Sequence, residues 1–294
     1  MCIFIFLAYI ISVFFIPQLA SATADGPDYF KNKNNYSVYL YENANAQSHI
    51  LAEIPAHRDY LKNMGCTGML RLDEWEKMSD DEKQQFRENI WCKVPYITIE
   101  GWVKNTDLAE GSSIADLPMF LCDTPNLNEI EALICHDDEL KVLDYEITIV
   151  YNQAHIVAQK SGNVQELENS QQNWIKARND CNKEADKKTC TQTQYLKRIA
   201  YLQTYWALIN ADIKATYLCD GASPFALTAY YYIYSSIPAV KIEYNDKVDV
   251  LLESITASGA KYEDTNGKLF WAKGNKALFK LNNNAAELQC TTNQ

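Results

Sequence analysis

Hydrophobic and polar positions divide the chain into textures that change about every 80 to 100 residues. Residues 2–16 are an apolar run, broken by Pro17 and followed by Ala20-Ser21-Ala22, a small-x-small cleavage pattern. The run is shorter than the roughly 20 residues that a membrane span needs. Residues 1–22 therefore read as a secretory signal peptide cut after Ala22, with no membrane anchor expected, although no Lys or Arg precedes the run. Residues 23–35 are polar and turn-rich and read as a linker.

From 36 to 110 the pattern is that of short strands. YSVYLY alternates, and WCKVPYITI and GWV follow the same rule. SDDEKQQFRENI interrupts them, with Ser79 and Glu82 spaced as a capping box, which predicts a short helix inserted in a loop. Between 114 and 210 the period becomes helical. Leu140, Leu143, Ile147, Val150 and Ala154 form one apolar face. Val164, Leu167, Trp174 and Ile175 form a second, and Tyr195, Ile199, Leu202, Trp206 and Ile209 a third. Three antiparallel helices would bury these stripes together. Residues 214–291 return to strands, TYLCDG, FALTAYYYIY, AVKIEY, KVDVLLESI, KLFWAKG and ALFKL, separated by turn residues. Their even spacing predicts a small antiparallel barrel or sandwich.

Composition narrows the possibilities. A net charge of -11 argues against a nucleic-acid partner. Beyond the leader stand Cys66, Cys92, Cys122, Cys135, Cys181, Cys190, Cys219 and Cys290, an even set that in an exported chain points to disulfides. Cys66 and Cys92 flank the helical insertion, and Cys219 and Cys290 can close the last domain. In the helical segment Cys122–Cys135 and Cys181–Cys190 each close a short loop, but four cysteines allow three connectivities. No CxxC pair occurs and His49, His57, His136 and His155 are scattered, so no metal and no cofactor is expected. His155 has no evident nucleophile beside it, which argues against an enzyme.

Three resemblances follow from particular residues. Ile54-Pro55-Ala56, Cys66, Trp91-Cys92-Lys93-Val94 and Gly101-Trp102-Val103 resemble the bacterial SH3-like domain, which implies a small β-barrel with peptidoglycan as a partner. Ile134-Cys135, Asp138-Glu139-Leu140, Leu143-Asp144, Gln172, Trp174, Arg178, Asp180-Cys181, Cys190, Tyr195 and Arg198-Ile199 resemble the LprI-type lysozyme inhibitor family. Asp144 and Asp180 are both candidate partners for Arg178. Tyr217-Leu218-Cys219-Asp220-Gly221, Pro238-Ala239-Val240, Ala257-Ser258-Gly259-Ala260-Lys261-Tyr262, Phe270-Trp271-Ala272-Lys273-Gly274 and Cys290 resemble the MliC/PliC family of c-type lysozyme inhibitors. The expected chain is thus multidomain: an SH3-like barrel (36–110), a three-helix disulfide-linked domain (114–210) and a small antiparallel β-barrel (214–291).

The last resemblance implies a partner, c-type lysozyme, and a lysozyme-binding set of Ser258, Lys273, Gly259 and Tyr262. Lysozyme-type hydrolysis needs one protonated and one ionised carboxyl group. A Lys ammonium beside them favours the ionised form of both, and a Ser hydroxyl can donate to the same oxygens. Gly259 would let the loop come close to the partner. Tyr262, counted in the set, would with Trp271 brace the loops from below. Between Lys261 and Lys280 five Lys face Glu263 and Asp264, a locally basic tip suited to an acidic cleft. The competing class is a peptidoglycan-binding or structural envelope protein. Either would be periplasmic or secreted, in a Gram-negative bacterium.

Overall fold

Apolar positions every second or every third to fourth residue become strands and helices in three successive domains. The computed structural model describes residues 26–68, 72–96, 99–114, 117, 122, 126–221 and 223–292. The expected signal peptide, and with it Cys2, lies outside these residues.

The first domain contains β1 (Tyr29–Asn32), β2 (Val38–Tyr41), β3 (Ile50–Ile54), β4 (Leu61–Lys62), α1 (Leu72–Trp75), α2 (Asp80–Glu88), β5 (Trp91–Tyr96), β6 (Ile99–Lys104) and β7 (Leu108–Glu110). The strands form two antiparallel sheets, ordered β4-β1-β7 and β3-β2-β6-β5. Alternation in β2 sends Val38 and Leu40 into a core shared with Phe30, Ile54, Leu61, Val94 and Val103. The expected linker is corrected here: its residues 29–32 are strand β1. Phe30 is in the core, and buried Asn32 donates its side-chain amide to the carbonyls of Tyr36 (3.0 Å) and Pro55 (2.9 Å). A four-residue strand carrying Lys and Asn has too little apolar pattern to stand out in a polar stretch. The inserted helix α2 carries the expected cap: Ser79 Oγ accepts from the Glu82 N–H, and the Glu82 carboxylate accepts from the Ser79 N–H at 2.8 Å. Cys66 is bonded to Cys92 across the insertion.

The second domain has four helices among the described residues, not three: α3 (Glu129–His136), α4 (Asp138–Ser161), α5 (Val164–Asn179) and α6 (Lys187–Tyr205). The additional α3 starts at Asn128, capped with Glu131, and buries Ile130 and Ile134. Asp137 ends α3 and caps α4, so one residue makes the break between them. Ile175 is exposed and Ile209 lies beyond α6. Arg178 fills the buried position on α5 instead. Cys122–Cys135 and Cys181–Cys190 staple the domain.

The third domain is a closed barrel of eight antiparallel strands: β8 (Ile213–Cys219), β9 (Phe225–Tyr232), β10 (Ala239–Tyr244), β11 (Lys247–Ser254), β12 (Ala260–Glu263), β13 (Leu269–Lys273), β14 (Lys276–Lys280) and β15 (Leu288–Thr291). Closure pairs β15 with β8, leaving no bare edge. Cys219 and Cys290 face each other in that register and are bonded. Tyr217, Leu227, Val240, Ile242, Leu251, Phe270 and Phe279 fill the interior.

The domains dock on specific contacts. Helix α6 lies against β10 and β11, with Ser236 Oγ donating to the Leu196 carbonyl at 2.9 Å. Val250 and Leu252, on the outer face of β11, line the groove left between that strand and Trp174, Arg198 and Tyr201. Between the first two domains Arg58 and Glu146 form an ion pair at 2.7 Å with side chains only 3% and 2% exposed. The Tyr96 ring lies 5.8 Å from the Arg58 guanidinium, and Tyr60 packs edge-on to Tyr145.

Glu146→Ala would leave the Arg58 charge buried and unpaired, and is expected to destabilise the chain by about 3–5 kcal/mol in chemical denaturation. Cys219→Ser is expected to lower stability by about 2–5 kcal/mol. An unchanged thermal unfolding profile would contradict a closing role for this bond.

Candidate functional site

Two connections at one end of the barrel bring the expected pair together. Strand β11 ends at Ser254, paired with Lys261, and residues 255–259 loop back into β12. Strand β13 ends at Lys273, paired with Lys276, so Gly274-Asn275 is a two-residue hairpin turn. Gly274 has φ 59°, the left-handed value such turns require and glycine adopts without strain. The turn is held from the side, since the Thr292 N–H donates to the Asn275 carbonyl at 2.9 Å. Because β12 and β13 are neighbours, loop and turn lie side by side.

Ser258 and Lys273 are both exposed, and Lys273 Nζ donates to Ser258 Oγ at 3.0 Å. The loop is positioned from beneath. Trp271 donates its indole N–H to the Ser258 carbonyl at 2.9 Å, and Thr256 Oγ1 donates to the same oxygen at 3.3 Å. Gly259 has φ 74°, and a Cβ there would stand 2.4 Å from the Ala272 carbonyl oxygen. Its lack of a side chain therefore serves a contact inside the chain, the approach of the loop to β13.

Tyr262 requires correction as a binding residue. It is 3% exposed and lies inside the barrel, its ring 5.9 Å from that of Tyr231. Tyr231 in turn shares a 2.9 Å hydrogen bond with Tyr217. Burial, and then the nearby Glu253 charge, raise the Tyr262 hydroxyl to about 12, so it remains a neutral phenol in the barrel interior. Alternation along β12 puts Lys261 outside and Tyr262 inside, a period-2 signal that was present in the sequence.

Charge at this end is narrower than the five-lysine count suggested. Lys261 is paired with Glu263 and Lys268 with Asp249, both at 2.5 Å. The Lys261 contact holds the Glu263 carboxyl below the usual range. Lys280 begins the connection at the opposite end of β14. Lys273 and Lys276, flanking the turn, make no ion pair among the described residues, and they are the basic tip.

In the helical domain the motif residues form an internal lock. Tyr195 Oη donates to Asp144 Oδ1 at 2.7 Å and accepts from Arg178 Nη1 at 3.2 Å. Arg178 thus reaches Asp144 through Tyr195, with a direct separation of 3.9 Å, and Asp180 pairs with Lys183 instead. Burial raises the Asp144 carboxyl despite both partners. Trp174 donates to the Gln194 carbonyl at 3.0 Å, tying α5 to α6. Among the described residues no three His, Cys, Asp or Glu side chains are grouped to hold a metal ion. Among them, too, no helix is long and apolar enough to cross a membrane.

Residues 217–288 match the family described as membrane-bound lysozyme-inhibitor of c-type lysozyme. Residues 122–217 match a second family, lysozyme inhibitor LprI. The two matched segments follow one another along the chain, and the exposed Ser258–Lys273 pair lies in the one similar to the c-type lysozyme inhibitors. Among curated proteins it is similar to Lipoprotein LprI of Mycobacterium bovis and of Mycobacterium tuberculosis H37Rv. Each is 27% identical over 163 residues, which covers 55% of this chain and 79% of the relative. No solved structure matches the chain. The N-terminal β-domain lies outside both family matches.

Gly259→Ala tests the loop geometry. A side chain at this positive φ, against the Ala272 carbonyl, is expected to cost about 1–3 kcal/mol, read as a lowered unfolding midpoint.

Proposed function

We propose that the chain is an exported inhibitor of c-type lysozyme, whose MliC domain inserts Ser258 and Lys273 into the enzyme's cleft and thereby protects peptidoglycan. The observation that carries this reading is the exposed Ser258–Lys273 contact of 3.0 Å on two neighbouring tips, within the segment that matches the MliC family. A glycosidase of this type needs one carboxyl protonated as acid and the other ionised. An ammonium group placed between them stabilises both as carboxylates and lowers the pKa of the acid. The Ser258 hydroxyl supplies a second donor to the same oxygens. The loop and turn that carry the two side chains occupy the space of the sugar, so inhibition needs no chemistry by the inhibitor.

The pair is pre-organised. Trp271 and Gly259 hold the loop against β13, so little conformational freedom is left to lose on binding. Lys273 and Lys276 give this end a positive tip on an acidic chain. That suits an acidic cleft in a basic enzyme and speeds association more than it tightens the complex.

The domain division belongs to the same reading: residues 1–22 removed on export, an SH3-like domain over 36–110 joined by strand β1 ahead of it, an LprI-type domain over 114–210 and the inhibitory barrel over 214–291. The first domain would place exposed Tyr36 and Tyr39 toward cell-wall glycopeptide. That is the second reading of the chain, an envelope protein with peptidoglycan as its partner.

Lys273→Ala is expected to weaken inhibition of a c-type lysozyme by about 2–5 kcal/mol, because a desolvated charge contact is lost. Inhibition equal to that of the wild-type chain, with the fold intact by circular dichroism, would refute the mechanism.

A further inference from the structure

Ile255 is the most exposed large apolar side chain among the described residues, at 101% of its reference area. It opens the five-residue loop that carries Ser258, three positions before it. Two further exposed isoleucines stand at the same end of the barrel: Ile213 (51%), which begins β8, and Ile233 (41%), which follows β9. Their nearness is set by register and one hydrogen bond. Ile213 pairs with Tyr231, and the Ile233 N–H donates to the Asp212 carboxylate at 2.7 Å. The connection from Ile233 leads into β10, where the Glu253 N–H donates to the Pro238 carbonyl at 2.8 Å, two residues before Ile255. All of these connections lie at one end of the barrel, but Ile233 faces Leu51, Tyr96 and Ile99 of the first domain across a groove, and Ile255 is the isoleucine on the same loop as Ser258.

A fully exposed isoleucine contributes nothing to this fold, and its hydration is unfavourable. Ser258 and Lys273 are polar and give specificity and rate, whereas tight protein contacts also need an apolar anchor that leaves water. We infer that Ile255 is such an anchor: it seats on apolar surface of the lysozyme beside the cleft that Ser258 and Lys273 enter. This inference rests on the proposed function and adds a residue outside the polar pair. The loop is fixed by Trp271 beneath Ser258, so Ile255 is presented without a folding step on binding.

The test compares the full chain, Ile255→Ser and Lys273→Ala for inhibition of a c-type lysozyme at low salt and at about 0.5 M salt, where surface charges are screened. Ile255→Ser is expected to weaken inhibition about 10- to 100-fold, the factor for burying one isoleucine, with unchanged thermal unfolding. That loss should persist at high salt, whereas the loss from Lys273→Ala should shrink. Inhibition by Ile255→Ser equal to wild type, while Lys273→Ala is weakened, would overturn the anchor and leave the proposed function standing. A wild-type chain that does not inhibit would overturn both. Concentration-dependent dimers abolished by Ile255→Ser, with lysozyme inhibition unaltered, would assign the surface to a second copy and also overturn the inference.

Discussion

A hydrogen bond from the Trp271 indole to the Ser258 carbonyl ties the β11–β12 loop to the strand that carries Lys273. With the bare backbone of Gly259 lying against Ala272, it removes the freedom that a five-residue exposed loop would otherwise have. Both anchors belong to a barrel closed by the β15–β8 ladder and the Cys219–Cys290 bond. The positions of the two tips are therefore set by the barrel's geometry more than by their own sequence. Without that loop-to-strand tie, a serine and a lysine fifteen positions apart would share no defined geometry.

A different device sets the relation between domains. Arg58 and Glu146 are removed from water together, which is costly unless the pair stays intact. The pair favours one docking of the N-terminal sheets on α4 over others that would strand a charge. In the helical domain Arg178 and Asp144 are joined through the Tyr195 hydroxyl, and the network fixes how α4, α5 and α6 pack. The motif residues of that domain are turned inward to one another, which separates it in character from the barrel, where the notable side chains are turned out.

Much of the fold could be read from periodicity. The helical stripes, the capped insertion and most barrel strands follow from where apolar residues fall. The failures have physical causes. Strand β1 is four residues long and holds a buried asparagine, whose burial depends on carbonyls from distant segments. Strands β12 and β15 are short and partly polar, and exist because their neighbours supply a ladder. Helix α3 carried Ile130 and Ile134 at helical spacing but ends at Asp137, so it merges with α4 in a sequence scan. At the site, pairing of Ser258 with Lys273 was legible only through resemblance, because no local pattern tells which hairpin tips adjoin. The inward turn of Tyr262 could have been found by counting twos along β12. Ile255 gave only a weak signal, one apolar residue where a strand gives way to a polar loop.

The seam between α6 and the barrel has a practical meaning. Val250 and Leu252 turn away from the barrel interior and face Trp174, Arg198 and Tyr201 across a groove beside helix α6. A barrel excised at its first strand would carry those side chains bare beside Val248, already exposed. Such a fragment would have a sticky flank as well as its basic tip. The helical domain thus shields one flank of the barrel's outer wall.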